Sequence, residues 1–199
     1  MIDEEYMSRI KLATELATKK ITAIHRKKRE KAEDKNEIYQ YESLLQAMIY
    51  HELIMLGIYF GDVTMDNPIE SDNEELKKKK PDMWIENTES GKSYVLEIKM
   101  IIHHEKNKII KQINEDKENS IIKDVQKLSL AMRAKPSNKG MMVVSYVSPN
   151  FAENEDPVDI MDNEFRKIVK KIKPPNSLIF MLCSEDFCRV LTTKEILKG

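Results

Sequence analysis

The run SYVLEIKMII, residues 93–102, constrains the fold most, because it places two charged side chains inside an otherwise apolar strand. Side chains alternate between the two faces of a strand, so the even-numbered positions from 94 to 100 form one wholly apolar face. Glu97 and Lys99 then lie side by side on the opposite face. Two charges in so apolar a strand cost free energy unless they have partners or a ligand. The run therefore predicts a core strand that carries a charged site on one face.

A shorter strand over residues 83–86 is predicted to form a hairpin with this one. The linking residues NTESGK contain Asn, Ser and Gly, which are common in hairpin turns. Asp82 begins the shorter strand, so its carboxylate can approach that of Glu97 across the hairpin. Two carboxylates and the Lys99 ammonium group then converge at one place.

The rest of the chain alternates helices with strands. Apolar residues recur at helical spacing in four segments and form short runs in three others. This order predicts an α/β (α+β) protein whose mixed central sheet is flanked by helices. Residues 1–35 are interpreted as an N-terminal helical extension, and residues 36–199 as one globular domain. The predicted helices are 3–34, 38–56, 121–134 and 160–172; the further strands are a short one within 58–69, then 141–147 and 178–183.

The composition limits which binding partners and which cellular compartment the sequence predicts. The 199 residues include 33 Lys+Arg and 34 Asp+Glu, so a nucleic-acid partner has to be inferred from a site and not from overall basicity. No apolar run reaches the roughly 18–20 residues that cross a bilayer, and the charged N-terminal residues do not resemble a signal peptide, so no membrane partner is predicted. Cys183 and Cys188 have no second cysteine pair, which predicts reduced thiols, either buried or without a role, in a cytoplasmic protein.

The three converging side chains suit metal-assisted hydrolysis of a phosphodiester. Asp82, Glu97 and the backbone carbonyl of Ile98 offer hard oxygen ligands to Mg²⁺, or to Mn²⁺ in its place, and Mg²⁺ keeps waters and accepts phosphate oxygens. Lys99 can orient the attacking water or stabilise charge on the scissile phosphate. The metal would also relieve repulsion between the two carboxylates. From the residues alone, the alternative is an ion pair of Glu97 with Lys99 or another neighbour on an edge strand.

Pro81-Asp82, a gap of 14 residues, and then Glu97-Ile98-Lys99 resembles the signature of the PD-(D/E)XK nuclease superfamily. The resemblance implies a restriction-endonuclease-like fold with the order αβββαβ, here with a long extra N-terminal helix. It also implies a Mg²⁺-dependent endonuclease that cuts DNA. Asp82 and Glu97 would be the metal ligands and Lys99 the catalytic lysine.

The resemblance further implies a carboxylate on the helix that precedes the sheet. Glu42 lies on the helix face that carries Leu45, Ile49 and Leu53, so it is the candidate for an additional catalytic residue and metal ligand. Glu52 is the rival, because it lies nearer the centre of the apolar stripe. The alternative for either residue is a boundary glutamate with its carboxylate in water.

Two basic or polar segments are candidates for contacts with the nucleic acid. Lys78, Lys79 and Lys80 directly precede Pro81 and either contact phosphates or form a solvated loop. Gln126 and Lys127 lie on the helix after the charged strand, and in the superfamily polar residues of this helix reach back toward the site. The alternative for both is an exposed position on the helix.

Fold and catalysis are separate expectations, because a nuclease fold can also serve as a module that binds nucleic acid or protein without cutting. RNA is an alternative substrate, since the same site chemistry does not select the sugar. One site cuts one strand, so a homodimer is expected if the protein makes double-strand cuts. The N-terminal helix, with its apolar stripe and basic end, is the candidate element for dimer contacts or for reaching DNA.

Overall fold

The computed structural model describes residues 2–29, 41–66, 80–103, 105–115, 120–148 and 155–198. Within them, the chain forms six α-helices, one short 3-10 helix (Phe60–Asp62) and six β-strands. None of the helices so described is long and apolar enough to cross a membrane. The helices are α1 (Ile2–Arg29), α2 (Tyr41–Met55), α3 (Lys106–Asn114), α4 (Ile121–Ala134), α5 (Pro157–Ile172) and α6 (Thr193–Lys198). The strands are β1 (Val63–Met65), β2 (Met83–Asn87), β3 (Lys92–Ile101), β4 (Asn138–Tyr146), β5 (Ile179–Cys183) and β6 (Cys188–Thr192).

All six strands belong to one mixed sheet, in the order β1-β2-β3-β4-β5-β6. Strand β2 is antiparallel to both of its neighbours, β1 and β3; β3, β4 and β5 are parallel, and β6 is antiparallel to β5. The crossover from β3 to β4 contains α3 and α4, and the crossover from β4 to β5 contains α5. The predicted mixed α/β architecture is therefore confirmed.

Helices cover both faces of the sheet, as the parallel strands require. Tyr94, Leu96 and Ile98 of β3 belong to the core that β3 shares with α1 and α2. Val95 belongs to the second core, which α3, α4 and α5 close on the other face. The predicted alternation along the run SYVLEIKMII is confirmed, and it assigns the Glu97 and Lys99 side of β3 to the face of α4.

Helix α1 is part of the layer that covers the sheet. Its apolar stripe, Ile10, Ala13, Ala17 and Ile21, is fully buried in the core shared with α2 and the sheet. The Thr18 hydroxyl also lies 2.8 Å from the Ser145 hydroxyl of β4. The stripe is thus used within the chain and does not offer a face for dimer contacts. The predicted domain boundary at 35/36 lies outside the described residues.

The C-terminal part of the sheet differs from the prediction. Strand β6 and helix α6 were not predicted, and β5 is therefore not the last strand. A turn over residues 184–187 returns the chain so that Cys188 pairs directly with Cys183, and the two form a disulfide. The prediction of free thiols was wrong, because it took no account of a strand directly after this turn; both cysteines of the disulfide are buried.

Candidate active site

The site lies where β2 ends and where β3, within the described ranges, continues without a partner strand on that side. The last residue pair of the two strands is Met83 with Leu96, whereas β3 stays paired with β4 as far as Ile101. Asp82 directly precedes this last pair, and its carboxylate accepts the Ile98 N–H at 2.6 Å. The N–H and C=O groups of one strand residue point to the same side. The Ile98 carbonyl therefore faces the same open edge of β3 as the Asp82 carboxylate.

Glu97 is almost fully buried on the adjoining face, with 1% of its surface exposed. Its Oε2 lies 2.7 Å from Nζ of Lys127, which belongs to α4. Its Oε1 is buried and has no hydrogen-bond partner among the described residues. The expectation that the charged pair in β3 needs partners is met for Glu97 by Lys127 rather than by Lys99, and one carboxylate oxygen is still unsatisfied.

Lys99 lies between two carboxylates from opposite layers. Its Nζ donates to Oε1 of Glu42 at 3.1 Å and lies 3.3 Å from Oδ2 of Asp124. Glu42 is in the first turn of α2, and Asp124 is in the first turn of α4. The Lys99 side chain is 16% exposed, so its ammonium group is both held in position and accessible from solvent.

Asp124 is the residue of this cluster that was not predicted. It is 6% exposed, and its Oδ1 also lies 3.7 Å from Nζ of Lys127, three residues further along α4. A signal was present in the sequence, because Asp124 follows Ile121 by three residues and precedes Leu128 by four. Those spacings assign it to the buried stripe of the helix.

Burial and neighbouring charges shift the pKa values of three side chains in the cluster. Burial raises the pKa of Glu97 to about 9, with further upward contributions from the charges of Asp82 and Asp124, against the opposing effect of Lys127. Burial also raises the pKa of Asp82 to about 6, although the Ile98 N–H and the charge of Lys99 oppose it. Burial alone would lower the pKa of Lys99, but Asp124 and Glu42 outweigh it and raise that pKa.

The charges within the described part of the site do not balance. Four carboxyl groups, those of Asp82, Glu97, Asp124 and Glu42, face the two ammonium groups of Lys99 and Lys127. With all four ionised, two negative charges are left over, which is the charge that one divalent cation neutralises. Burial is the main cause of the raised pKa values of Asp82 and Glu97, and for Glu97 the charges of Asp82 and Asp124 add to it.

The oxygen atoms of the site fit Mg²⁺ as a set of two carboxylates and one backbone carbonyl. No group of three or more His, Cys, Asp and Glu side chains in the described ranges is arranged to hold a metal ion. Mg²⁺ needs fewer, because it is usually bound through one or two carboxylates and keeps several waters. Asp82, Glu97 and the Ile98 carbonyl meet that requirement, and the unsatisfied Oε1 of Glu97 is a buried acceptor without a donor. The role of Glu42 as a ligand stays a prediction, since its observed contact is with Lys99.

The structure separates the two rival glutamates of α2. Glu42 is at the site, whereas Glu52 lies ten residues further along the helix, or about 15 Å at the usual rise per residue. The Glu52 carboxylate lies 2.5 Å from Nζ of Lys20 on α1, and its side chain is 7% exposed. The interpretation of Glu52 as a carboxylate in water was therefore wrong, because α1 covers it.

Of the residues predicted to contact nucleic acid, one reaches the site and others lie on the surface beside it. Lys127 reaches the site, as one of the two alternatives predicted, and donates to the carbonyl of Lys80 at 3.1 Å. Gln126 is exposed, and no described contact joins it to the carboxylates. The Lys80 side chain is also exposed, beside the site in sequence. Lys78 and Lys79 lie outside the described residues.

Comparison with known proteins finds no matching family model, no matching curated protein and no matching solved structure. The chemistry of the site has to be inferred from its own residues: Asp82 at the open edge of β3, Glu97 on the adjoining face, Glu42, Asp124 and two lysines. Their contacts, burial and charge are the basis of the proposal below.

Proposed function

We propose that this protein is a Mg²⁺-dependent endonuclease that hydrolyses phosphodiester bonds of DNA. The observation that carries the proposal is the hydrogen bond from the Ile98 N–H to the Asp82 carboxylate. It holds Asp82 at the open edge of β3, beside the face that carries Glu97 and Lys99. Two carboxylates and a lysine on one strand and at its edge are the groups that metal-assisted phosphodiester hydrolysis requires.

The fold supports the proposal through its order of elements. Helix α2, the antiparallel strands β1, β2 and β3, helix α4 and the parallel strand β4 follow one another in the order αβββαβ, with α3 added. This is the order that the resemblance to the PD-(D/E)XK superfamily implies, so we propose a restriction-endonuclease-like fold. In this proposal the site occupies the position where β2 and β3 separate.

Asp82, Glu97 and the Ile98 carbonyl would hold the cation, which is Mg²⁺ or in its place Mn²⁺. When bound, the metal supplies a Lewis acid for the phosphate and an activated water. The protein contributes the arrangement of the oxygens. The Ile98 N–H orients the Asp82 carboxylate, and the packing of α4 on β3 excludes bulk water from Glu97.

Lys99 acts in this proposal as a fixed positive charge. Glu42 and Asp124 hold its ammonium group from two sides, and their charges raise its pKa, so it stays protonated at neutral pH. A protonated lysine can donate to the attacking water or to a phosphate oxygen, but it cannot accept a proton from that water. Its contribution is therefore to orient the water and to stabilise charge on the phosphate.

A cleavage assay on plasmid DNA, single-stranded DNA and RNA tests the proposal, with Mg²⁺ or Mn²⁺ present. Asp82→Ala is expected to lower the rate by about 100-fold or more, as is usual when a group that stabilises the transition state is lost. Glu86→Ala is the matched control, because Glu86 is an exposed carboxylate on the same strand. Cutting that survives Asp82→Ala, or that falls equally in Glu86→Ala, refutes the assignment of the site.

A second candidate is a module that binds nucleic acid or protein without cutting. It is favoured by the internal ion pairs, because Lys99 and Lys127 already engage Glu42, Asp124 and Glu97. The same assay distinguishes the two functions, since the module leaves plasmid, single strand and RNA intact with either metal. The RNA arm decides the substrate, and because one site cuts one strand, double-strand cuts would require two copies on the DNA.

A further inference from the structure

Lys127 occupies an unusual place for a lysine on a surface helix. Its Nζ lies 2.7 Å from Oε2 of Glu97 and 3.7 Å from Oδ1 of Asp124, and it donates to the Lys80 carbonyl at 3.1 Å. These oxygens belong to β3, to α4 and to the segment before β2. The Lys127 side chain is 18% exposed, so the contacts hold it inside the site rather than in solvent.

We propose that Lys127 occupies the site of the metal in the metal-free protein: its ammonium group donates to Oε2 of Glu97 and competes with Mg²⁺ for that carboxyl group. This inference rests on the proposed function, because it takes Glu97 to be a metal ligand. A carboxylate that is 1% exposed is costly to bury without a partner. Lys127 is the cation bonded to it within the described residues. A divalent cation at the same carboxylate repels the ammonium group, so the two exclude each other.

The two lysines of the site differ in what holds them. Lys99 contacts Glu42 and Asp124, neither of which is needed for the proposed metal ligand set, so metal binding leaves its partners in place. Lys127 loses its shortest contact when Glu97 turns to a metal. Asp124, one turn earlier on the same helix, can then receive its ammonium group. Lys99 is thus a permanent part of the site, and Lys127 is an exchangeable one.

Calorimetric titration with Mg²⁺ and with Mn²⁺, without nucleic acid, tests the competition. Lys127→Met is expected to lower the Kd for the metal by about tenfold, which corresponds to a lost charge-assisted hydrogen bond. The same variant should lower the Tm of the metal-free protein by about 5 °C, because Glu97 loses its partner. Lys123→Met is the matched control, since Lys123 is an exposed lysine one turn earlier on α4, and it should change neither quantity.

Two further variants keep the test decisive. Lys127→Gln removes the charge but keeps a donor, so it should fold well and bind the metal with an intermediate Kd. Lys127→Met combined with Glu97→Gln removes both partners, and its metal-free Tm should return toward that of the wild type. A double variant that is no more stable than Lys127→Met contradicts a stabilising contact between Lys127 and Glu97.

The outcomes separate this inference from the proposed function. If the wild type binds Mg²⁺ and Asp82→Ala abolishes that binding, the metal site stands. An unchanged or raised Kd in both Lys127 variants then overturns the competition alone. If neither the wild type nor the Lys127 variants bind Mg²⁺ or Mn²⁺, the proposed metal site fails and the inference fails with it.

Discussion

The protein contains two clusters of buried or half-buried charge that differ in their balance. In the α5–β6 cluster, Asp159 and Asp162 of α5 face Arg166 of the same helix and Arg189 of β6. The Arg189 guanidinium contacts Asp159 at 2.8 Å and Asp162 at 2.9 Å, and Arg166 donates to the same Asp162 at 2.9 Å. Two carboxylates thus meet two guanidinium groups.

The candidate active site has more acids than bases and uses lysine in place of arginine. Lysine is a point charge on a flexible stem, whereas arginine forms planar, paired hydrogen bonds with a carboxylate. Two buried oxygens in the described part of the site, Oε1 of Glu97 and Oδ2 of Asp124, have no hydrogen-bond partner, although Oδ2 of Asp124 lies 3.3 Å from Nζ of Lys99. The comparison indicates that a balanced arginine network stabilises the fold, whereas an unbalanced lysine network with an unsatisfied oxygen is suited to binding a cation.

The largest expected difference is in catalysis. Lys99→Met should lower the rate of DNA cleavage by about 100-fold or more, because it removes the fixed positive charge at the site. Arg189→Met should leave the rate per folded molecule within about threefold and lower the Tm instead, because it leaves Asp162 short of one partner. Single-turnover cleavage and thermal melts of both variants measure this. Equal losses of rate would remove the functional distinction between the clusters.

The two clusters should differ next in how they make the free energy of unfolding depend on pH. The pKa of Glu97 in the folded protein is about 9, above its ordinary value of 4.5, so folding favours the protonated form. Its stabilising contribution is complete below about pH 4.5 and is lost as the pH rises toward 9. Asp82, whose pKa is raised to about 6, loses its own stabilising contribution between about pH 4 and pH 6, so above pH 6 the change in stability comes mainly from Glu97.

The Tm of the metal-free protein should therefore fall by about 5 °C or more between pH 6 and pH 9. Glu97→Gln, which cannot ionise, should abolish most of that fall, whereas Asp162→Asn in the α5–β6 cluster should retain it. Circular-dichroism melts at a series of pH values measure the effect. A wild-type profile that is flat over this range contradicts the excess of negative charge at the site.

A smaller effect is the release of protons on metal binding. At pH 7.5, Asp82 is already ionised, whereas Glu97, with its pKa of about 9, has to lose its proton to bind a metal. Binding of Mg²⁺ should therefore release about one proton. Calorimetry in buffers of different ionisation enthalpy measures this number, and Glu97→Gln should reduce it to about zero. Release of no proton by the wild type would argue against Glu97 as the ligand.

The sequence predicted the parts of this structure that depend on local pattern. Helix α4 begins and ends at the predicted residues. Gly57 follows the end of α2 with φ of +84°, the left-handed conformation in which glycine commonly ends a helix. The alternation in β3 correctly separated Glu97 and Lys99 from the apolar face. Asp82 could be assigned to their neighbourhood because a hairpin sets which residues lie opposite one another.

The parts that depend on how distant elements meet could not be predicted. The pairing of Lys127 with Glu97 and of Asp124 with Lys99 depends on the rotation of α4 against β3, which no local pattern specifies. Strand β6 is half-exposed along most of its length, so it has no clear alternation. Without that strand, Cys188 had no predicted position opposite Cys183, and their disulfide was missed.

The most direct test of the central claim compares the two clusters through one aspartate of each. Mg²⁺ binding without nucleic acid is measured by calorimetry for the wild type, Asp82→Asn and Asp162→Asn, which make the same chemical change at the two places. The wild type and Asp162→Asn should bind one Mg²⁺ with similar Kd, and Asp82→Asn should bind it at least about tenfold more weakly. Equal binding by the two variants, or no binding by the wild type, would contradict a metal site at the edge of β3.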